Sequence, residues 1–107
     1  IITGGLKVAP RLVEEAILDH LDGVAEAVVV GVDDPEWGQV VSAAVILRPG
    51  AQAPTVSRAR EALRGILPAH ALPRHVLALD ALPLRGPGKP DRRAIRAVLS
   101  TRVTMKP

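Results

Sequence analysis

The sequence predicts an α+β fold, in which a small sheet of about three strands carries helices packed on it. Two neighbouring runs rich in β-branched residues, 25–32 and 40–47, flank the turn-rich segment 33–38, which is typical of an antiparallel strand pair. Three other segments repeat apolar residues every three or four positions, as amphipathic helices do. A chain of 107 residues is long enough for one hydrophobic core, so we expect a single domain over 1–107.

The amino-terminal part is predicted to begin with a tight turn and to continue into a helix. Gly4 and Gly5 readily adopt the positive φ angles that a tight turn requires. Pro10 suits the first position of a helix, which Gly23 is expected to end. Glu14 should then lie near the positive end of the helix dipole. The apolar positions expected to face the sheet are Val13, Ala16, Ile17 and Leu21.

The carboxy-terminal half is predicted to add two helices and one strand. Thr55 should cap a helix whose apolar face continues through Ile66 to Leu67 and which ends at Pro68. The short apolar run 75–79 predicts a third strand. Asp91 should cap the last helix. The side chains expected on the outer face of that helix are Arg92, Arg93 and Arg96.

The composition limits the kinds of site that the chain can carry. There is no cysteine, so disulfides and thiol nucleophiles are excluded. No serine stands in a G-x-S-x-G motif, and the three histidines show no metal-ligand spacing, so no metal site is expected. Trp37, the only aromatic residue, either covers part of the surface or stacks on a ligand. Any catalysis therefore needs groups from outside these residues.

The net charge of +3 is unevenly distributed along the chain. Residues 1–84 carry seven basic and ten acidic side chains, whereas residues 85–107 carry seven basic and one acidic. Such a basic tail favours binding of a phosphate-bearing ligand or a nucleic acid, or it forms a solvated helix face. The near absence of aromatic residues argues against binding single-stranded nucleic acid by base stacking.

Nothing in the sequence predicts a membrane-spanning or targeting segment. No apolar run approaches the length needed to cross a bilayer, and residues 1–5 lack a charged region followed by an apolar one. The expected location is the cytoplasm. Because the chain opens on Ile1 instead of Met, we expect it to be part of a longer protein.

One lysine, Lys89, lies in an unusual setting within the segment LPLRGPGKPDRR, residues 82–93. Gly86 and Gly88 keep side chains away from it, and the flanking prolines restrict the backbone. An ammonium on such a loop is able to reach a polyanionic transition state. An ordinary exposed lysine remains the alternative, because the segment lacks the first glycine and the Ser or Thr of a P-loop.

Three blocks of residues carry a family resemblance that covers nearly the whole chain. The first is Thr3-Gly4-Gly5 with Val8, Pro10 and Val13, the second runs from Val28 to Ala43 through Trp37-Gly38, and the third joins Leu82-Pro83 to Gly88-Lys89 and Asp91-Arg92. Together they resemble the C-terminal domain of the adenylate-forming acyl-CoA synthetase superfamily. Within it, the opening and the lysine segment look most like the o-succinylbenzoate-CoA ligases of actinobacteria, which serve menaquinone biosynthesis.

The resemblance implies a lid domain that takes part in a two-step reaction. ATP activates a carboxylic acid as an acyl-adenylate, and the acyl group then passes to the thiol of coenzyme A. A large N-terminal domain would hold ATP, Mg²⁺ and the acid, and the hinge would precede Ile1. Lys89 corresponds to the lysine that reaches the carboxylate and the α-phosphate, on a loop supported by Arg85, Gly86 and Gly88. Gly4 and Gly5 correspond to the turn along which the pantetheine arm passes.

The resemblance leaves the acid open, so a fatty acyl-CoA ligase and an adenylation domain that loads a carrier protein are alternatives. The implied partners are the N-terminal domain, the acid, ATP and CoA, with a homodimer through the N-terminal domain and no nucleic acid. Two alternatives of another class are a non-catalytic basic binding module and a structural interaction domain. Alone, the chain is expected to fold and to be inactive.

Overall fold

A computed structural model of the chain describes residues 1–104, which form three α-helices and seven strands. The elements in chain order are β1 (Ile2–Thr3), β2 (Leu6–Lys7), α1 (Pro10–His20), β3 (Val24–Asp34), β4 (Gly38–Leu47), α2 (Val56–Leu63), β5 (His75–Ala78), β6 (Leu84–Gly86), β7 (Lys89–Pro90) and α3 (Arg92–Thr104). Among these residues, no helix combines the length and apolarity needed to cross a bilayer.

The main sheet is built around the predicted antiparallel pair, which is confirmed. β3 and β4 pair over their whole length, from Val24 opposite Leu47 to Asp34 opposite Gly38. On the other side of β4, β1 joins at Gly38 and β5 runs parallel to residues 42–45. The three expected strands are therefore present, and the short β1 and β2 extend the sheet beyond them. This order places the turn after β1 beside the turn between β3 and β4.

Helices cover both faces of the sheet, which explains the unbroken valine run in β3. Because side chains alternate along a strand, Val29 faces the core under α1 and α2, while Val28 and Val30 face the core under α3. A strand that is buried on both faces has no solvent-exposed face, so its polar and apolar residues do not alternate. The largest fully buried aliphatic side chains are Ile17, Leu63, Ile95, Leu99, Val13, Val29, Val40, Val41 and Val45.

Helix α2 is shorter than its apolar pattern predicts. Thr55 caps it as expected, since its Oγ1 accepts a hydrogen bond from the backbone N–H of Arg58 at 3.1 Å. The helix ends at Leu63, and Gly65 adopts a φ of +87°, which turns the chain away from the helix axis. The prediction that Ile66 lies on the buried face is therefore wrong, and its side chain is 50 % exposed.

Of the expectations about charged residues, one is confirmed and two need correction. The cap of α3 is confirmed, because Asp91 Oδ1 accepts from the backbone N–H of Ala94 at 3.0 Å. Glu14, however, lies beyond the first turn of α1, and its carboxylate accepts from the backbone N–H of Val29 at 2.8 Å. Arg92 does not simply face solvent, since its guanidinium donates to the Val29 carbonyl oxygen at 2.9 Å.

Candidate functional site

Lys89 lies on a small hairpin that is separate from the main sheet. Strands β6 and β7 pair antiparallel, with Gly86 opposite Lys89 and the dipeptide Pro87-Gly88 between them. Gly88 has a φ of +72°, and proline followed by a glycine of positive φ is the pattern of a type II turn. The segment expected to be a loop is thus an ordered hairpin that presents Lys89 directly after its turn.

The other residues predicted to support Lys89 shape this hairpin in different ways. Arg85 is the extra residue of a bulge, because Leu84 pairs with Pro90 while Gly86 pairs with Lys89. A Cβ atom added at Gly86 or Gly88 would meet no atom within 4 Å. Gly88 is needed for its backbone angle, whereas Gly86 has no such requirement. The hairpin surface around Gly86 is open.

The base of the hairpin is fastened to helix α3. The backbone N–H of Asp91 donates to the carbonyl oxygen of Pro83 at 2.8 Å, which closes the hairpin. The carbonyl oxygen of Asp91 accepts from the N–H of Ile95 at 3.0 Å, so the same residue begins the helix. Lys89 therefore stands three residues before the first residue of α3.

Gly4 and Gly5 form a two-residue turn between β1 and β2, as predicted. Thr3 pairs with Leu6, and the φ angles of the two glycines are +55° and +82°. Positive φ at both central residues is the requirement of a type I′ hairpin turn. The N–H of Gly4 donates to the carbonyl oxygen of Trp37 at 2.9 Å, which ties this turn to the β3–β4 turn.

The indole ring of Trp37 packs against the glycine turn. A Cβ atom at Gly4 would lie 3.0 Å from Cε3 of Trp37 and 3.2 Å from Cζ3, whereas one at Gly5 would meet nothing within 4 Å. The guanidinium of Arg74 lies 4.9 Å from the centroid of the indole ring, in cation–π range. These contacts support the surface-covering role of Trp37, and 38 % of its surface stays exposed.

Alanine at Gly4 should destabilise the domain more than alanine at Gly5. Both changes strain a backbone with positive φ, and we expect about 1–2 kcal/mol for that effect. Only Gly4→Ala also presses a methyl group against the Trp37 ring. Urea denaturation of the two variants measures the difference in the free energy of unfolding. Equal losses would show that the ring moves aside freely.

Asp34 organises the β3–β4 turn on which Trp37 lies. Its Oδ1 accepts from the backbone N–H of Trp37 at 3.0 Å and of Glu36 at 2.8 Å. These hydrogen bonds hold the pKa of the Asp34 carboxyl below its usual 3.8, and the positive charges of Arg74 and His75 act in the same direction. The ionised carboxylate therefore stabilises the turn.

The stability difference between the native domain and Asp34→Asn should depend on pH. A lowered pKa means that the stabilisation is fully present above pH 3.8 and is lost as the pH falls through the lower value in the folded state. Asparagine keeps an oxygen acceptor but no charge, so the variant should be less stable at pH 7. Urea denaturation at several pH values should show the gap closing below pH 3.8, and a constant gap would contradict the assignment.

The predicted site residues form two groups that the structure keeps apart. Gly4 and Gly5 lie at the edge of the main sheet. The lysine hairpin, which includes Arg85 and Gly86, directly precedes α3. In the described part of the chain, no hydrogen bond or ion pair links the two groups. The same residues contain no cluster of three side chains that could hold a metal ion. The glycine turn and the lysine hairpin thus belong to two different sheets.

The sequence analysis did not predict the long-range contacts of three side chains, those of Arg74, Glu14 and Arg92. Arg74 lies 37 positions after Trp37, and only the parallel pairing of β5 with β4 brings the two together. Glu14 and Arg92 are 78 positions apart, with Arg92 Nη1 lying 3.1 Å from Glu14 Oε2. No local pattern indicates such pairs, because the partners are far apart in the sequence and each of Arg74, Glu14 and Arg92 alone is an ordinary charged residue.

Comparison with known proteins identifies the family. Residues 12–89 match the family described as AMP-binding enzyme C-terminal domain. The chain belongs to this family. Among solved structures, apo MatB from Rhodopseudomonas palustris superposes on this AMP-binding enzyme C-terminal domain with a TM-score of 0.85 and 32 % identity, over 94 % of the present chain and 20 % of MatB. The predicted α+β fold of the lid domain is thereby confirmed.

Relatives of this AMP-binding enzyme C-terminal domain act on different acids. A medium/long-chain fatty acid–CoA ligase of Mycobacterium tuberculosis is 41 % identical over 91 % of the chain and 18 % of its own length. A protein of the same species named "Probable 2-succinylbenzoate–CoA ligase" is 38 % identical over 89 % of the chain and 24 % of its own length. The chain spans about a fifth of the length of these relatives.

Proposed function

We propose that residues 1–107 are the C-terminal lid of an AMP-forming acid–CoA ligase whose N-terminal domain binds ATP, Mg²⁺ and the acid. The observation that carries this proposal is Lys89, which stands after the turn of an isolated hairpin with open space around Gly86 and Gly88. Such a lysine is free to enter a site built by another domain. Family membership and the 41 % identical ligase support the same conclusion.

In the first step, Lys89 would act as an electrostatic catalyst. A carboxylate oxygen of the acid attacks the α-phosphorus of ATP, the bond to the β-phosphate breaks, and pyrophosphate leaves. Negative charge collects between the carboxylate and the α-phosphate, where the three N–H donors of an ammonium stabilise it most effectively. In this role the lysine contributes its charge and its N–H donors and takes no part in bond making or breaking.

In the second step, the glycine turn would replace the lysine hairpin at the reaction centre. The thiolate of CoA attacks the acyl carbon, the bond to the phosphate oxygen breaks, and AMP leaves. Gly4 and Gly5 carry no side chains, and the space above Gly5 is open, so a narrow pantetheine arm can pass close to the backbone. The glycine turn and the lysine hairpin belong to different sheets, and this supports a mechanism in which the domain reorients between the steps, as mobile lids do.

For the acid, we propose o-succinylbenzoate in menaquinone biosynthesis, supported by the resemblance of the two motifs and by the 38 % identical relative. A fatty acid is the alternative, supported by the 41 % identical relative. The proposed location is the cytoplasm, where ATP and CoA are available. A homodimer through the N-terminal domain and the absence of a nucleic-acid partner belong to the same proposal.

The direct test is to assay the longer protein that carries this chain. Pyrophosphate release should depend on an acid, and a panel of o-succinylbenzoate and medium- and long-chain fatty acids identifies which one. Thioester formation is then compared with CoA and with a carrier protein as acceptor. The isolated 107-residue chain should release no pyrophosphate. Failure of every carboxylic acid to support pyrophosphate release would contradict the proposed reaction.

A further inference from the structure

Two side chains from opposite faces of the sheet close its outer edge. β3 is the last strand on this side, since its partner in the sheet is β4. The backbone N–H of Val29 donates to Glu14 Oε2 at 2.8 Å, and the Val29 carbonyl oxygen accepts from Arg92 Nη1 at 2.9 Å. Arg92 Nη1 also lies 3.1 Å from Glu14 Oε2. We call Glu14, Arg92 and the peptide groups of Val29 the edge clamp.

The edge clamp joins three elements of the fold. Glu14 belongs to α1 on one face of the sheet, and Arg92 is the first residue of α3 on the other. The Glu14 side chain is only 13 % exposed, and that of Arg92 is 49 % exposed. An ion pair with one partner nearly buried is screened less by solvent than a fully exposed pair, and here it also satisfies two backbone groups. The clamp therefore has a defined geometry.

The same clamp lies next to the lysine hairpin in the sequence and is connected to it through Asp91. Arg92 directly follows Asp91, whose N–H closes the hairpin by its bond to Pro83 and whose side chain caps α3. Lys89 is three residues before Arg92. A short series of directional bonds thus runs from the sheet edge through Arg92 and Asp91 to the strand that carries Lys89.

The apolar contacts of α3 are less directional than the hydrogen bonds of the clamp. Ile95 and Leu99 bury the helix against the sheet, but apolar contacts are non-directional. The hairpin has little packing of its own, because Leu84 is 59 % exposed. Among the described residues, the clamp provides the side-chain hydrogen bonds closest to the hairpin that link α3 to the sheet.

We infer that Glu14 and Arg92 are positioning residues that hold Lys89 in the orientation required for adenylate formation, an inference that rests on the role proposed for Lys89. Loss of the clamp would let the start of α3 tilt and the ammonium move away from the developing charge. A displacement of about 1 Å at a reacting group is able to lower a rate by about 100-fold. Thiol transfer, which does not use Lys89, should be spared.

The test measures both half-reactions in the full-length ligase. Arg92→Ala should lower the rate of adenylate formation by about 100-fold and Glu14→Gln by about tenfold, with thiol transfer from pre-formed adenylate unchanged. Arg92→Lys, which keeps the charge, should restore part of the rate. The matched controls are Glu15→Gln, from the exposed pair with Arg11, and Arg96→Ala on the outer face of α3. Both controls should retain the native rates.

Each outcome decides between the inference and its alternatives. Equal losses in both half-reactions, or adenylation losses no larger than those of the controls, would overturn the positioning role. Should Arg92→Ala fail to fold, Arg92→Lys and Glu14→Gln decide the question in the same assays. Lys89→Ala is run in parallel. If it abolishes adenylation while the clamp variants remain active, only this inference fails, and if it has no effect, the proposed function fails as well.

Discussion

Replacing Lys89 by alanine in the full-length ligase should lower the rate of adenylate formation by about 100- to 1,000-fold. This is the range measured when one preorganised donor is removed from a site of developing negative charge. The acid and ATP should still bind, because the proposed N-terminal domain holds them. The effect should therefore appear in the rate constant of single-turnover pyrophosphate release and not in the concentrations of substrate needed for half the maximal rate.

Thiol transfer provides the internal control for Lys89→Ala. Acyl-adenylate supplied ready-made should react with CoA at nearly the native rate, because in the proposed mechanism the lysine hairpin leaves the reaction centre before this step. Arg102→Ala removes an exposed positive charge from the far end of α3 and should change neither half-reaction. A similar reduction of both half-reactions in Lys89→Ala would contradict the assigned role. Lys89→Arg keeps the charge but changes its geometry, so it should recover only a small part of the adenylation rate.

Replacing Ile17 by alanine should destabilise the isolated domain by about 2–5 kcal/mol, which is the range for large-to-small changes at fully buried aliphatic positions. Ile17 has no exposed surface and packs between α1 and the sheet. A domain of this size is stable by about 5–15 kcal/mol, so the loss would be a large share of its free energy of unfolding. Urea denaturation followed by circular dichroism measures the loss.

Leu12→Ala is the matched control on the same helix. The side chain of Leu12 is 61 % exposed, so the change removes little buried surface and should alter the free energy of unfolding by less than about 0.5 kcal/mol. Alanine is the best helix former, so a comparable loss in both variants would show that burial of Ile17 in the core does not determine the effect. The comparison also tests the prediction that the chain folds without its N-terminal partner.

Local patterns were sufficient for most elements of the fold. The β-branched runs predicted β3 and β4, and the periodic apolar positions Val13 and Ile17 predicted the buried face of α1, because each signal arises from residues close together in the chain. Thr55 and Asp91 were correctly predicted as caps for the same reason. The error at Ile66 arose because apolar spacing continues past the point where Gly65 redirects the backbone.

For the candidate site, the sequence by itself determined which backbone positions are special. Glycine pairs and Pro-Gly dipeptides are typical of tight turns that need a positive φ angle. Gly4-Gly5 and the turn before Lys89 could therefore be identified from the residue types alone. Only the tertiary structure decided that these positions belong to two different sheets, that the Trp37 ring lies against Gly4, and that Glu14 and Arg92 meet at Val29. Contacts between residues 37 or 78 positions apart depend on how the strands pair and on which face each helix packs, and no local pattern specifies either.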